Sequence, residues 1–245
     1  RAERETAEIA HTLQVALLPP QLPAIAELET AAWHRPGARG QEIGGDFYDL
    51  FRSGPREWDG VIGDVCGKGP AAASLTGLAR HTLRAVAEQS RLPSEALRRL
   101  NQAVLEQHEA PSFLTASYAR LAPSTEGMLV TVSNAGHPPP LVVRADGEVE
   151  DAGGAGMLLG VFEGPMLEDH QLALVDGDAL VFFTDGLVEL GEAGDGFGWL
   201  RDALGDCAGG SAAEIADQVR REASPRAERL DDDQAVLVLR VVGRS

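Results

Sequence analysis

Beyond Pro19-Pro20, the order of strand-like and helix-like runs constrains this chain more than any single motif. Alternating, β-branched or aromatic segments at 28–34, 46–52 and 58–65 follow one another with no helical run between them. Helical spacing then takes over at 70–89 and 94–108, with Pro70 and Pro93-Ser94-Glu95 as start signals. Strand-like runs return at 113–121, 127–133, 139–144, 166–174 and 178–184. A short helix near 197–204, a helix over 211–223 and a strand at 234–242 complete the chain. A doubly wound nucleotide-binding sheet alternates strand and helix, and this order does not. It predicts an α+β sandwich with helices segregated from antiparallel sheets.

At 245 residues and 44% hydrophobic, the chain can bury the core of one large domain. Its formal net charge of −17 disfavours nucleic acid and anionic membrane as partners, and better suits divalent cations and basic protein patches. Cys66 and Cys207 form no CxxC pair, so neither a disulfide framework nor a thiolate zinc site is suggested, which fits a reducing cytoplasm. No apolar run approaches the ~20 residues that span a bilayer, so membrane insertion is not expected. Residues 3–18 carry Ile9, Leu13, Ala16 and Leu17 at helical spacing. This helix either packs on its own domain or serves as a linker or dimer helix. The reading divides the chain into an N-terminal linker or regulatory helix, 1–20, and a domain, 21–245. Because the chain opens on Arg1 in helical pattern, a domain cut from a longer protein is expected.

The stretch VIGDVCGKGPAAA, residues 61–73, looks at first like a phosphate loop. A Walker loop needs a glycine five positions before its Gly-Lys pair and Ser or Thr after it, where Ile62 and Gly69 stand. The dinucleotide fingerprint is met weakly by Gly67-x-Gly69-x-x-Ala72, with Glu88 as ribose partner. Neither explains Asp64 at the end of an apolar run. Asp46, Asp185 and Asp232 sit in the same way at strand edges, beside glycine or another acid. A carboxylate at the mouth of a buried strand is costly unless solvated, paired or metal-bound. Lysine and arginine are scarce around all four, so pairing is the weakest of the three. Oxygen ligands without His or Cys clusters select Mg²⁺ or Mn²⁺ over zinc. Each acid also has a plainer use. Asp46 could cap a turn, Asp185-Gly186 could form a hairpin turn, and Asp231 to Asp233 could be a solvated loop.

GGDFYDLF, GDVCGKGPAAA, FLTASYARL, NAGHPPPLV, LLGV, LVFFTDGLVEL and DDDQAVLVL, in this order and over nearly the whole chain, resemble the motifs of the metal-dependent PPM phosphatases, in their SpoIIE/RsbU-like branch. The resemblance implies a four-layer αββα sandwich of two antiparallel β-sheets flanked by helices. It implies two divalent cations, Mn²⁺ or Mg²⁺, and hydrolysis of phosphoserine or phosphothreonine on a protein. The expected substrate is a phosphorylated anti-anti-sigma-type protein in a partner-switching pathway. Asp46, Asp64, Asp185 and Asp232 match the family's catalytic metal-binding acids, and Val65 matches its backbone carbonyl ligand. Asp233 could exchange roles with Asp232. Strand alternation puts Asp49 on the face opposite Asp46, as support. Ala235 stands where the closing motif usually has Thr, and Cys66 where Ser is common. The family context also implies an upstream sensor domain and dimerisation through the N-terminal helix.

Two cations can activate a water for in-line attack on phosphorus and offset charge on the phosphoryl oxygens, so no side-chain nucleophile is required. The glycines near 63–69 then serve to aim Asp64 and the Val65 carbonyl at a metal. Lys68 either approaches the substrate phosphate or is an exposed turn lysine. His137 either donates a proton to the leaving group or organises its loop. Cys66 reads as a small packing residue. The rival functions are a catalytically inactive phosphoprotein-binding regulatory module of the same fold and a dinucleotide-dependent oxidoreductase.

Overall fold

A computed structural model describes residues 18–37, 44–107, 113–190, 197–226 and 232–243. The predicted helix at 3–18 therefore lies outside the described residues, apart from its last position. Strands β1 (Leu28–Arg35), β2 (Phe47–Arg52) and β3 (Trp58–Val65) precede helices α1 (Pro70–Val86) and α2 (Pro93–Leu105), joined by a 3₁₀ turn at Ala87–Gln89. Then come β4 (Leu114–Pro123), β5 (Gly127–Ala135), β6 (Leu141–Val143), β7 (Val149–Asp151), β8 (His170–Val175) and β9 (Ala179–Phe183). The chain continues with α3 (Asp185–Val188), α4 (Gly198–Gly205), α5 (Ala212–Arg226) and β10 (Gln234–Val241).

The strands form two five-stranded sheets, ordered β1-β10-β9-β6-β7 and β2-β3-β4-β5-β8, with every paired neighbour antiparallel. The central strands of each sheet are buried on both faces. Leu50, Ile62, Val130, Phe182, Leu237 and Leu239 fill the space between the sheets. Alternate residues of the second sheet, Phe47, Val61 and Tyr118, pack against Leu75, Leu83 and Leu97 of α1 and α2. On the other side, Val181, Phe183 and Val238 pack against Leu200, Ile215 and Val219 of α4 and α5. The layers are thus helix, sheet, sheet, helix, as expected. The differences are local. The predicted strand at 166–174 begins only at His170, because Asp169 is drawn off to accept hydrogen bonds from the Ser94 N–H and hydroxyl at the start of α2. The short β7 was not predicted, and Asp185-Gly186 opens a helical turn instead of a hairpin.

Two buried acids tie the second sheet to its helices. Asp49, fully buried on β2, accepts from Arg80 at 3.0 Å and Arg84 at 2.7 Å, both on α1. Asp59 on β3 receives both Nε and Nη2 of Arg120, the Ser53 hydroxyl and the Tyr118 hydroxyl. Arg120 also reaches the carbonyls of Ala87 and Ser90, where α1 gives way to the 3₁₀ turn. These contacts seat α1, the helix that starts just beyond Asp64.

Candidate metal centre

The antiparallel register brings the predicted acids to one edge. Phe47 pairs with Gly63, and the Val65 N–H donates to the Gly45 carbonyl at 3.2 Å, so Asp46 lies across from Asp64. On the other sheet β9 ends at Phe183, paired with Val236 of β10, which places Thr184-Asp185 and Asp232-Asp233 at the matching edge. One carboxylate oxygen from each of Asp46, Asp64 and Asp185 lies within 4.8 Å of the others. Asp46 is buried, Asp64 half-buried and Asp185 exposed, so the group forms a mouth open on one side.

Close carboxylates leave charge uncompensated. Burial, then the nearby Asp64 and Asp233, push Asp46 well above the ordinary carboxylate range, against a lowering hydrogen bond from Thr184. Burial and then the charges of Asp185, Asp232 and Asp233 raise Asp64 to about 7. Burial and Asp232 raise Asp185, and the same two causes followed by Asp185 raise Glu189. A cation between the oxygens would remove the repulsion. The backbone fits one as well. A Cβ on Gly45 would fall 2.2 Å from the Val65 carbonyl oxygen and 2.4 Å from an Asp64 oxygen, so only glycine lets these two donors stand side by side. Gly67 and Gly69 take positive φ, 99° and 91°, and carry the chain from the site into α1, whose first residue is Pro70. All the donors are oxygen, which suits a hard divalent cation.

Of the predicted set, Asp46, Asp64, Asp185 and the Val65 carbonyl are together. Asp232 and Asp233 lie beside this group but outside it. Asp233 is buried, accepts from the Gly37 N–H at 2.7 Å, and places Oδ2 against Gly44. Asp232 is partly exposed, and Lys68 Nζ approaches it to 3.7 Å. Pairing, the weakest of the three options read from the sequence, is present here as one partly exposed contact. Asp49 turns away from the site toward α1, as strand alternation predicts. Cys66 is exposed, which corrects its reading as a packing residue: its N–H is held by the Phe113 carbonyl at 3.0 Å while the side chain leaves the core.

The family model described as Stage II sporulation protein E (SpoIIE) matches residues 55–242, a stretch that holds every candidate ligand except Asp46. The chain belongs to the SpoIIE family. Within that family setting, phosphoserine phosphatase RsbU of Bacillus subtilis strain 168 is 28% identical over 183 residues, 74% of this chain and 53% of the relative. The chain thus spans about half of that relative's length. The solved structure of the RsbU and RsbW domains of Rv1364c from Mycobacterium tuberculosis has a TM-score of 0.76 at 26% identity, covering 91% of this chain and 62% of that one. The SiaA-PP2C domain of Pseudomonas aeruginosa has a TM-score of 0.79 at 24% identity over 96% of each chain, a likeness of fold.

Sequence reasoning missed Thr184. Its hydroxyl donates to Asp46 Oδ2 at 2.8 Å and accepts the Ala235 N–H at 2.9 Å. The signal was the absent threonine at 235: the lost hydroxyl drew notice, whereas Thr184, one residue before Asp185, read only as the end of a strand. His137 is buried, with Nδ1 2.8 Å from the Thr115 hydroxyl and Nε2 3.1 Å from the Phe183 carbonyl. Burial lowers its pKa to about 4.

Proposed function

We propose that this domain is a divalent-metal-dependent protein phosphatase acting on phosphoserine or phosphothreonine. The observation that carries the reading is the meeting of Asp46, Asp64 and Asp185, from three separate elements, within 4.8 Å. When bound, two Mn²⁺ or Mg²⁺ ions supply a water activated near neutral pH and positive charge for the phosphoryl oxygens. Asp46, Asp64, Asp185 and the Val65 carbonyl would hold them, with Asp232 or Asp233 completing the set from the start of β10. Thr184 orients Asp46, and the exposed side of the mouth, at Asp185, admits the phosphorylated side chain. Lys68, drawn toward Asp232, stands at the rim as a point charge. The retained acids favour catalysis over an inactive phosphoprotein-binding module.

The substrate we infer is a phosphorylated protein of the anti-anti-sigma type, acting in partner switching. Membership of the SpoIIE family and the phosphoserine phosphatase among the relatives support it. The family setting also supports a regulatory role for residues 1–20, through an upstream sensor domain or a dimer. Among the described residues no helix is long and apolar enough to cross a membrane. We place the domain in the cytoplasm, a reducing compartment that suits its two free cysteines. The test is phosphate release from p-nitrophenyl phosphate with Mn²⁺, Mg²⁺ or chelator, beside Asp185→Ala. We expect metal-dependent turnover that the substitution lowers at least a hundredfold, on the order of 3 kcal/mol. Turnover that persists in chelator or in D185A would sink the reading.

A further inference from the structure

Two hydrogen-bonded links cross from one sheet to the other beneath the acid group. In the first, the Thr115 hydroxyl on β4 and the Phe183 carbonyl at the end of β9 are joined through the ring of His137, which lies just past β5. A carbonyl oxygen can only accept, so Nε2 carries the proton; with the ring neutral, Nδ1 accepts from Thr115. Thr115 is also the register partner of Asp64. In the second link, the Thr184 hydroxyl on the first sheet donates to Asp46, which stands at the start of β2 in the second. The same hydroxyl is fixed by the Ala235 N–H, and the Thr184 N–H donates back to the Ala235 carbonyl at 3.1 Å. Phe183 and Thr184 are adjacent, and Asp185 follows them. The acids of the two sheets are therefore referred to each other through one dipeptide.

We propose that His137 and Thr184 are positioning residues, a brace across the seam between the sheets that sets the spacing of Asp46, Asp64 and Asp185 and through it the affinity for a divalent cation. The inference rests on the metal-dependent reading above and deepens it. Three facts carry it. Both ring nitrogens of His137 are engaged away from the mouth, which leaves none to face a leaving group. The ring is buried and holds its neutral form near neutral pH. Ala235 offers no hydroxyl, so the one supplied to Asp46 comes from Thr184.

The test is Mn²⁺ calorimetry on the wild-type domain and on T184V, T184S and H137Q, with p-nitrophenyl phosphate turnover followed against pH at saturating Mn²⁺. T184V keeps the side-chain shape and removes the donor, and we expect Mn²⁺ binding weakened about tenfold or more. T184S keeps the hydroxyl and should bind as wild type does. H137Q should weaken Mn²⁺ binding in the same direction and leave the pH profile of turnover unshifted. Equal affinity in T184V and wild type would overturn the brace while leaving the metal reading intact. A shifted pH profile in H137Q with unchanged Mn²⁺ affinity would also overturn it and make His137 a proton carrier. A wild-type domain that binds no Mn²⁺ would overturn the metal reading itself and the brace with it. Should H137Q fail to fold, the Thr184 pair alone decides.

Discussion

The His137 ring is kept neutral by burial, with Nε2–H donating to the Phe183 carbonyl and Nδ1 accepting from the Thr115 hydroxyl. Its folded pKa of about 4 lies below the ordinary 6.5, so in acid the unfolded chain binds a proton that the folded one refuses. The stability that His137 contributes is therefore full above about pH 6.5 and is lost as pH falls toward 4. The difference in unfolding free energy between wild type and H137Q should shrink over that window, by up to about 3 kcal/mol. Urea titrations at pH 7.5, 5.5 and 4.5 would measure it, and a difference that does not change with pH would show that the ring is not held neutral. The sequence offered two uses for this histidine and could not choose between them, because the choice depends on Phe183, which lies 46 positions away. Thr184 was invisible for the same reason: its partner Asp46 is 138 positions distant.

Elements were more legible than their partnerships. The α1 start at Pro70, the α2 start at Pro93 and the runs that became β2, β3, β5 and β9 follow from local signals, since each obeys a period and ends at a breaker. What had no local signal was β7, three residues that extend only because β6 offers them an edge, and α3, a turn imposed where Asp185 leaves the sheet. The buried ion pairs were equally silent in the sequence, yet they fix the position of α1. Arg120→Met illustrates the cost. It leaves Asp59 charged and buried with only the Ser53 and Tyr118 hydroxyls, and should destabilise the domain by about 3–5 kcal/mol. Asp59 sits five residues along β3 from Asp64, about 16 Å at strand rise, so Mn²⁺ affinity of the folded fraction should not change. Chemical unfolding and calorimetry on R120M would separate the two effects. A loss below about 1 kcal/mol would show that the Arg120–Asp59 contact does not hold the sheet to its helices.

For the whole molecule, the resemblance gave the order of motifs and the layers, but spacing along the chain does not say that residues 46, 64 and 185 meet. The antiparallel topology does that, by ending β3 and β9 at one edge of the sandwich. That convergence adds like charges to a chain whose net charge is already −17, so the fold without metal bears both a local and a global repulsion. On the proposed reading, a divalent cation that binds the assembled acids and not the unfolded chain would stabilise the fold by mass action. At a free concentration a hundred times Kd the gain is about 2.7 kcal/mol. For a domain of this size each kcal/mol moves Tm by about 2–4 °C, so saturating Mn²⁺ should raise it by roughly 5–11 °C. Chelator should return Tm to its starting value, and D185A should show little of the rise. Monovalent salt at matched ionic strength would screen the repulsion of the whole chain without occupying the mouth, and is the necessary comparison. If sodium chloride reproduces the full effect of Mn²⁺, the acids are a solvated edge and not a metal site.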